Sequence, residues 1–270
     1  MSKKRNKFID AHCHLSLKYY KNEEILDEII LATKHNRLEF LIVNGGHAEE
    51  NLETLKLAEK YPEIVKPCVG LHPEDKLSEN DGEIIEKIVN NQVVGIGEIG
   101  LEYFYETENS REIQLKSLES QILLALKLDL PVVVHLRDKD DSEQAYQDFY
   151  QIMKKYPNLR VMLHTYAGTK EWSEKFLTFK NLYFSFSGVA TFGSADQTRE
   201  VIKFLPLDRI LTETDSPYLR VHPYTGETNE PNTVLYVSYY LAGLKSVSME
   251  KFVDRVNRNL RTLFRITDAK

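Results

Sequence analysis

Short apolar, β-branched runs recur along the chain at residues 8–11, 40–44, 65–70, 93–97, 131–135, 160–164, 182–187 and 209–214. Most are apolar almost without a break, as strands buried on both faces must be. Between them the apolar positions change period. Ile25, Ile29 and Ala32 follow Asn22, and Leu115, Leu118, Ile122 and Leu126 follow Asn109 and Ser110. Met249, Phe252, Val253, Val256, Leu260 and Leu263 form the last such series. Spacings of three and four put these side chains on one helical stripe, and Asn or Ser ahead of a stripe can cap it. Further helices are expected at 49–60, 82–90, 142–155, 170–179 and 196–204. Strand and helix thus alternate throughout, which predicts a parallel sheet. Eight rounds favour a closed (β/α)8 TIM barrel over an open, doubly wound sheet. At 270 residues the chain has the length of one such barrel. A single domain over 1–270 is expected, with 1–7 as a frayed terminus.

Composition adds little to this picture. Hydrophobic residues make up 42% and charged residues 28%, as in ordinary globular proteins. The net charge of −6 gives no general basic field for nucleic acid. Bound divalent cations would supply a positive field locally. Cys13 and Cys68 make neither a disulfide framework nor a zinc knuckle, and they suit a reducing compartment. Residues 1–7 lack the apolar segment of a signal peptide, and no apolar run is long enough to span a bilayer. These features predict a cytoplasmic protein with no membrane contact.

The candidate chemistry stands at the strand ends. Active sites of these barrels lie at the C-terminal ends of the strands. Of eight histidines, His12, His14, His72, His135 and His164 fall there, with Glu98 after the fourth strand and Asp215 after the eighth. Residues i and i+2 of a strand share a face, so His12 and His14 can reach one ion while Cys13 points away. Imidazole with carboxylate suits zinc, manganese, iron or, less typically, magnesium. Four histidines with Glu98 and Asp215 exceed what one tetrahedral ion needs. Two ions sharing a bridging carboxylate, roughly 3.5–4 Å apart, fit better.

Five motifs carry a family resemblance: Ile9-Asp10-Ala11-His12-Cys13-His14-Leu15, Gly70-Leu71-His72-Pro73, Gly95-Ile96-Gly97-Glu98-Ile99-Gly100-Leu101, Val134-His135-Leu136-Arg137 and Thr212-Glu213-Thr214-Asp215-Ser216-Pro217-Tyr218-Leu219. In this order they closely resemble the TatD family of metal-dependent hydrolases, part of the amidohydrolase superfamily, several of which are deoxyribonucleases. The resemblance runs from about residue 8 to 264 and includes Asn229-Glu230-Pro231. It implies that His12 and His14 hold a first metal with Glu98 and Asp215. His135 and His164 would hold a second, with Glu98 bridging. The two divalent ions would be zinc, magnesium or manganese. Asp215 and Glu98 would serve the chemistry, Asp215 orienting a metal-activated water and taking its proton. His72 and Arg137 would contact substrate phosphate. DNA is the expected substrate, cut from its ends, and no stable protein partner is implied.

Three positions depart from the family pattern. Glu102 stands where the family usually has Asp, and Thr165-Tyr166-Ala167-Gly168 follows His164 in place of Cys-Phe-Ser-Gly. Thr225-Gly226-Glu227-Thr228 holds no basic residue ahead of Asn229. The metal set is untouched, but the substrate shell differs.

Blander roles compete for several residues. Asp215 can cap the turn before Pro217, Glu98 can pair with a structural base, and Arg137 can pair with Asp138 or Glu98. His135 and His164 can be core histidines, and His72 can serve the turn at Pro73. Tyr103 and Phe104 can stack on a base or pack under their loop. His35 and His47 are assigned no function, and His222 stands in a loop after the eighth strand. Cys13 and Cys68 read as small buried residues. Two rival functions stand beside the nuclease: hydrolysis of a small ester, amide or lactone by the same metals, and a barrel that binds without turnover.

Overall fold

The computed structural model describes residues 7–267; of the expected frayed stretch, residues 1–6 lie outside them. Eight strands alternate with helices. In chain order they are β1 (Phe8–Cys13), α1 (Glu23–His35), β2 (Leu38–Asn44), α2 (Ala48–Lys60), β3 (Val65–Val69), α3 (Asp81–Glu86), β4 (Gly95–Glu102) and α4 (Arg111–Leu128). Then follow β5 (Val132–Arg137), α5 (Gln144–Lys155), β6 (Val161–Leu163), α6 (Lys170–Phe176), β7 (Leu182–Phe186), α7 (Asp196–Phe204), β8 (Ile210–Thr212), α8 (Val234–Leu244) and α9 (Met249–Phe264). All strand pairs are parallel and in sequence order, β1 through β8. The eighth strand returns beside the first, where Cys13 and Ser216 form a single parallel bridge. The protein is a (β/α)8 TIM barrel.

The helix starts follow their caps. The Asn22 side chain accepts from the Ile25 N–H, and Ser110 accepts from Ile113, so Ser110 rather than Asn109 caps α4. The expected helix at 82–90 stops after Glu86. One helix escapes the periodicity: α8, Val-Leu-Tyr-Val-Ser-Tyr-Tyr-Leu-Ala-Gly-Leu, is apolar or aromatic nearly all round and shows no polar face to set a stripe.

The barrel interior is a packed layer. Ile9, Ala11, Phe40, Ile42, Cys68, Val133, Met162, Tyr183 and Leu211, drawn from seven of the strands, form one buried cluster. Leu260, Leu263 and Phe264 of α9 join it and close the lower end. The fourth strand gives glycine here because there is no room: a Cβ on Gly97 would stand 2.6 Å from Cβ of Val133. A larger cluster, including Phe149, Phe176 and Phe184, fills the space between strands and helices. Cys13 packs outward with Leu41 and Val43, as the two-residue strand period predicts, and both cysteines are buried. Among the described residues no helix is long and apolar enough to cross a membrane. With its lower end plugged, the barrel keeps its polar groups at the upper end.

Candidate metal centre

The upper end of the barrel gathers the residues picked from the sequence. His12 and His14 come from β1 and the residue just past it, His135 from β5, and His164 from the residue after β6. Glu98 sits inside β4, where the pairing with β5 shifts register between Ile96 and Ile99. Such a bulge re-aims a side chain beside a site. Asp215 lies beyond β8 with a left-handed backbone, φ 54°, and its N–H donates to the His12 carbonyl at 3.0 Å. A non-glycine residue held there carries some strain, a common mark of functional positions.

Glu98 is the hub. One oxygen, Oε2, stands 3.3 Å from His12 Nε2 and 3.2 Å from His14 Nε2. The other, Oε1, stands 3.2 Å from His135 Nδ1 and 2.7 Å from His164 Nε2. Asp215 Oδ1 joins the first group, 3.4 Å from His12 Nε2 and 3.8 Å from His14 Nε2. His12 and His14 present their Nε2 atoms to each other at 3.1 Å, and His135 Nδ1 meets His164 Nε2 at 3.1 Å. Two of these four imidazoles thus face each oxygen of one buried carboxylate.

Hydrogen-bond logic tests whether cations belong here. His14 Nδ1 is 3.0 Å from the Asn44 carbonyl, which only accepts, so Nδ1 carries the proton and Nε2 a lone pair. His135 Nε2 is 3.0 Å from Glu102 Oε2, so its proton lies there and Nδ1 carries the lone pair. Both lone pairs aim at Glu98 oxygens, acceptor against acceptor. A proton or a cation must lie between them. Donors around a tetrahedral zinc stand about 3.3 Å apart for its usual bond lengths; most separations here are 3.1–3.4 Å, with His164–Glu98 closer at 2.7 Å and His14–Asp215 wider at 3.8 Å.

His72 differs. Its Nε2 lies 3.3 Å from Glu98 Oε1, close enough on distance to count as a ligand with Glu98 and His135. However, its Nδ1 accepts the Glu74 N–H at 3.2 Å, so the proton sits on Nε2 and faces Glu98 as a donor. Hydrogen bonding therefore sets His72 apart from His14 and His135.

The local field asks for positive charge. Burial and the neighbouring His164 oppose a charge on His12, yet Asp215 and Glu98 hold its pKa up at about 9. Burial likewise opposes a charge on His164, but Glu98 and Glu213 keep its pKa well above the ordinary value. Burial alone would raise the Glu98 carboxyl; the surrounding histidines, His164 and His72 foremost, hold it well below the usual range. A divalent cation answers the same demand.

Outer partners fix the inner ones. The Asp10 carboxylate accepts from Thr214 N–H at 2.9 Å, Thr214 Oγ1 at 2.6 Å and His12 N–H at 3.3 Å. It therefore clamps the seam where β1 meets the β8 end. Burial pushes its pKa up to about 8 against those hydrogen bonds. Glu213 Oε1 accepts from the Thr165 N–H and hydroxyl, both at 2.6 Å, and lies 3.7 Å from His164 Nδ1. Reading the sequence missed Glu213 and Asn44 as partners, and took Glu102 only as a departure. Glu213 had a signal, since it stands two residues before Asp215 on the same strand end.

The rim holds the remaining candidates. Arg137 pairs with neither Asp138 nor Glu98; its guanidinium lies over the Phe104 ring at 4.3 Å and the Tyr105 ring at 4.6 Å. Asp138 instead accepts from Ala145 N–H at the start of α5. Tyr103 is half-buried with its hydroxyl on Asp148 at 3.0 Å, so Phe104 and Tyr105, 37% and 50% exposed, are the rings open to solvent. His47, assigned no function, stands at the start of α2 with its ring 6.3 Å from that of His72. His222 is exposed in its loop, and His35 ends α1. Around the departures, Gly226 has φ 92° in the open, and Arg220 donates to the Thr228 carbonyl.

Known proteins resemble this chain over nearly its whole length. Residues 9–265 match the family model described as TatD related DNase. The chain is 32% identical over 262 residues to the uncharacterized metal-dependent hydrolase YabD of Bacillus subtilis strain 168, covering 95% of this chain and 98% of that protein. It is 32% identical over 266 residues to the uncharacterized metal-dependent hydrolase YcfH of Escherichia coli K12, covering 97% of each. The crystal structure of YjjV, a TatD homolog from Escherichia coli K12, superposes with a TM-score of 0.83 at 27% identity over 96% of this chain and 98% of that one. Matched in sequence over nearly its whole length and in its barrel, the chain belongs to the TatD family.

Proposed function

We propose that the chain, as one barrel domain, is a metal-dependent hydrolase that cleaves phosphodiester bonds from DNA ends. The observation that carries the reading is Glu98, whose two oxygens divide four histidines into two pairs. His12, His14, Glu98 and Asp215 would hold one divalent cation, and His135, His164 and Glu98 a second. Zinc suits so many imidazoles, and magnesium or manganese are the other candidates. Bound there, the cations supply positive charge against phosphoryl oxygens and lower the pKa of water.

The chain's own residues do the rest. Burial would raise the Asp215 carboxyl, but His12 and His164 keep it below its ordinary value, so it is ionised at neutral pH and free to accept a proton from the attacking water. His72 stands at Glu98 and Arg137 follows His135 by two residues on β5; both would meet phosphate oxygens as donors, the planar guanidinium being well shaped for them. Among the described residues Arg137 has ring contacts but no carboxylate partner, which leaves its charge for a substrate anion. The family's description as DNases supports DNA as that substrate.

One observation favours a small substrate instead. A cavity of about 470 Å³ opens next to the His72 turn, lined by Glu49, Glu50, Glu53 and Asp75 with Lys18. Such an acidic wall repels a polyanion, which favours a smaller substrate of low negative charge. Digestion of end-labelled single- and double-stranded DNA with Mg²⁺, Mn²⁺ and Zn²⁺, beside Glu98→Ala, separates the two. Stepwise shortening by the wild type alone supports the nuclease. No cleavage by either, with metal bound to the wild type, overturns it in favour of the small ester.

A further inference from the structure

Glu102 is a buried carboxylate with two employments. Its Oε2 takes the proton of His135 Nε2 at 3.0 Å. Its Oε1 accepts from the Phe104 N–H at 2.7 Å and the Tyr105 N–H at 3.0 Å. The residue is 2% exposed, and its backbone is pinned to α4: the Glu102 N–H donates to Gln114 Oε1 at 2.9 Å, and Gln114 Nε2 donates to the Glu102 carbonyl at 3.1 Å. The carboxylate is therefore fixed from behind and spends both oxygens forward.

Each oxygen has a separate effect. On the His135 side, an acceptor at Nε2 forces the proton onto that nitrogen and leaves the Nδ1 lone pair facing Glu98 and His164. Carboxylates placed behind a metal-bound imidazole set its tautomer and raise its basicity. On the other side, the two N–H groups belong to the turn whose rings lie under the Arg137 guanidinium. Arg137 itself is two residues beyond His135 on β5. A histidine of the centre and the cation at its rim are thus held by one carboxylate.

We propose that Glu102 is a positioning residue that fixes His135 as a donor through Nδ1 and couples it to the Phe104–Tyr105 turn that carries Arg137. The proposal rests on the two-cation reading above. It makes one carboxylate the common support of both: losing it disturbs the His135 contact and the turn under Arg137 together.

Two substitutions separate the two employments. Glu102→Gln can keep its carbonyl oxygen on the two N–H groups while turning an amide N–H toward His135, which drives the imidazole proton to Nδ1. Glu102→Ala removes both contacts. Zinc affinity and stoichiometry are measured by competition with a chromogenic chelator, amide exchange is followed at Phe104 and Tyr105, and inorganic phosphate serves as the anion probe. Metal-free circular dichroism and melting verify that both variants fold. Wild type is expected to take two zinc ions. Glu102→Gln should bind one of them ~10–100-fold more weakly, with amide exchange at the turn unchanged. Glu102→Ala should show the same zinc loss, faster exchange at Phe104 and Tyr105, and weaker phosphate binding. Two ions bound by Glu102→Gln with wild-type affinity would overturn the role at His135. Unchanged exchange in Glu102→Ala would overturn the coupling. A wild type that takes only one ion would instead overturn the two-cation reading, and is distinguished by that count.

Discussion

At the scale of single residues, protons on histidines decide what the centre can be. His14 is committed to Nε2 by the Asn44 carbonyl, His135 to Nδ1 by Glu102, while His72 turns its own N–H inward. The residue types and most of their positions near strand ends were legible in the sequence, whereas Glu98, expected after the fourth strand, lies inside β4, which runs on to Glu102. Which nitrogen faces inward was not legible, because it depends on partners distant in sequence. Asn44 lies 30 residues from His14, and Glu102 lies 33 from His135. Asp215 supplies the residue-scale prediction. Asp215→Asn keeps the shape and loses the proton acceptor. It should lower kcat on a chromogenic phosphodiester by roughly 10²–10⁴-fold with KM little changed. Steady-state kinetics at saturating metal measures this, and an unchanged kcat would remove Asp215 from the chemistry.

At the scale of elements, helices are tied to the rim by charged contacts off the central axis. Asp148 of α5 receives Arg111 of α4 through Nε at 2.7 Å and Nη2 at 2.5 Å, the Tyr103 hydroxyl at 3.0 Å and Gln144 Nε2 at 3.0 Å. Burial would raise its carboxyl, but Arg111 and Tyr103 hold it below its ordinary 3.8. The sign follows from linkage. A folded pKa below the unfolded one stabilises above the unfolded value and is lost as pH falls through the folded one. Asp148→Asn should therefore cost about 1–2 kcal/mol at neutral pH, discounted for the exposed Arg111. The gap to wild type should close below about pH 4. Urea unfolding across that range tests it, and a gap independent of pH would assign the loss to packing. Among the described residues, seven of nine helices stand close to where the sequence placed them, three of them on named apolar stripes; α3 proved shorter, and α8, with Tyr236, Tyr239 and Tyr240 among its apolar residues, had no polar face to mark it.

At the scale of the whole molecule, the barrel and its centre are separable. The interior layer and the α9 plug are apolar and make no use of the polar upper end. Chelation should leave far-UV circular dichroism intact and lower the melting temperature. Cation at a hundredfold excess over its Kd is worth about 2.7 kcal/mol, or roughly 5 °C for a chain of this length. Scanning calorimetry with and without chelator reads the shift. Loss of helix on chelation would make the metal a structural element, and no shift at all would deny binding.

The seam between β1 and the β8 end has a consequence for synthesis on the ribosome. The histidines of the first candidate cation are made almost at once, at positions 12 and 14, and wait for Asp215. That residue reaches them only when the last strand docks under the Asp10 clamp. The second group is complete in sequence by His164. Assembly of the first group therefore waits on closure of the barrel, however early its two histidines are made.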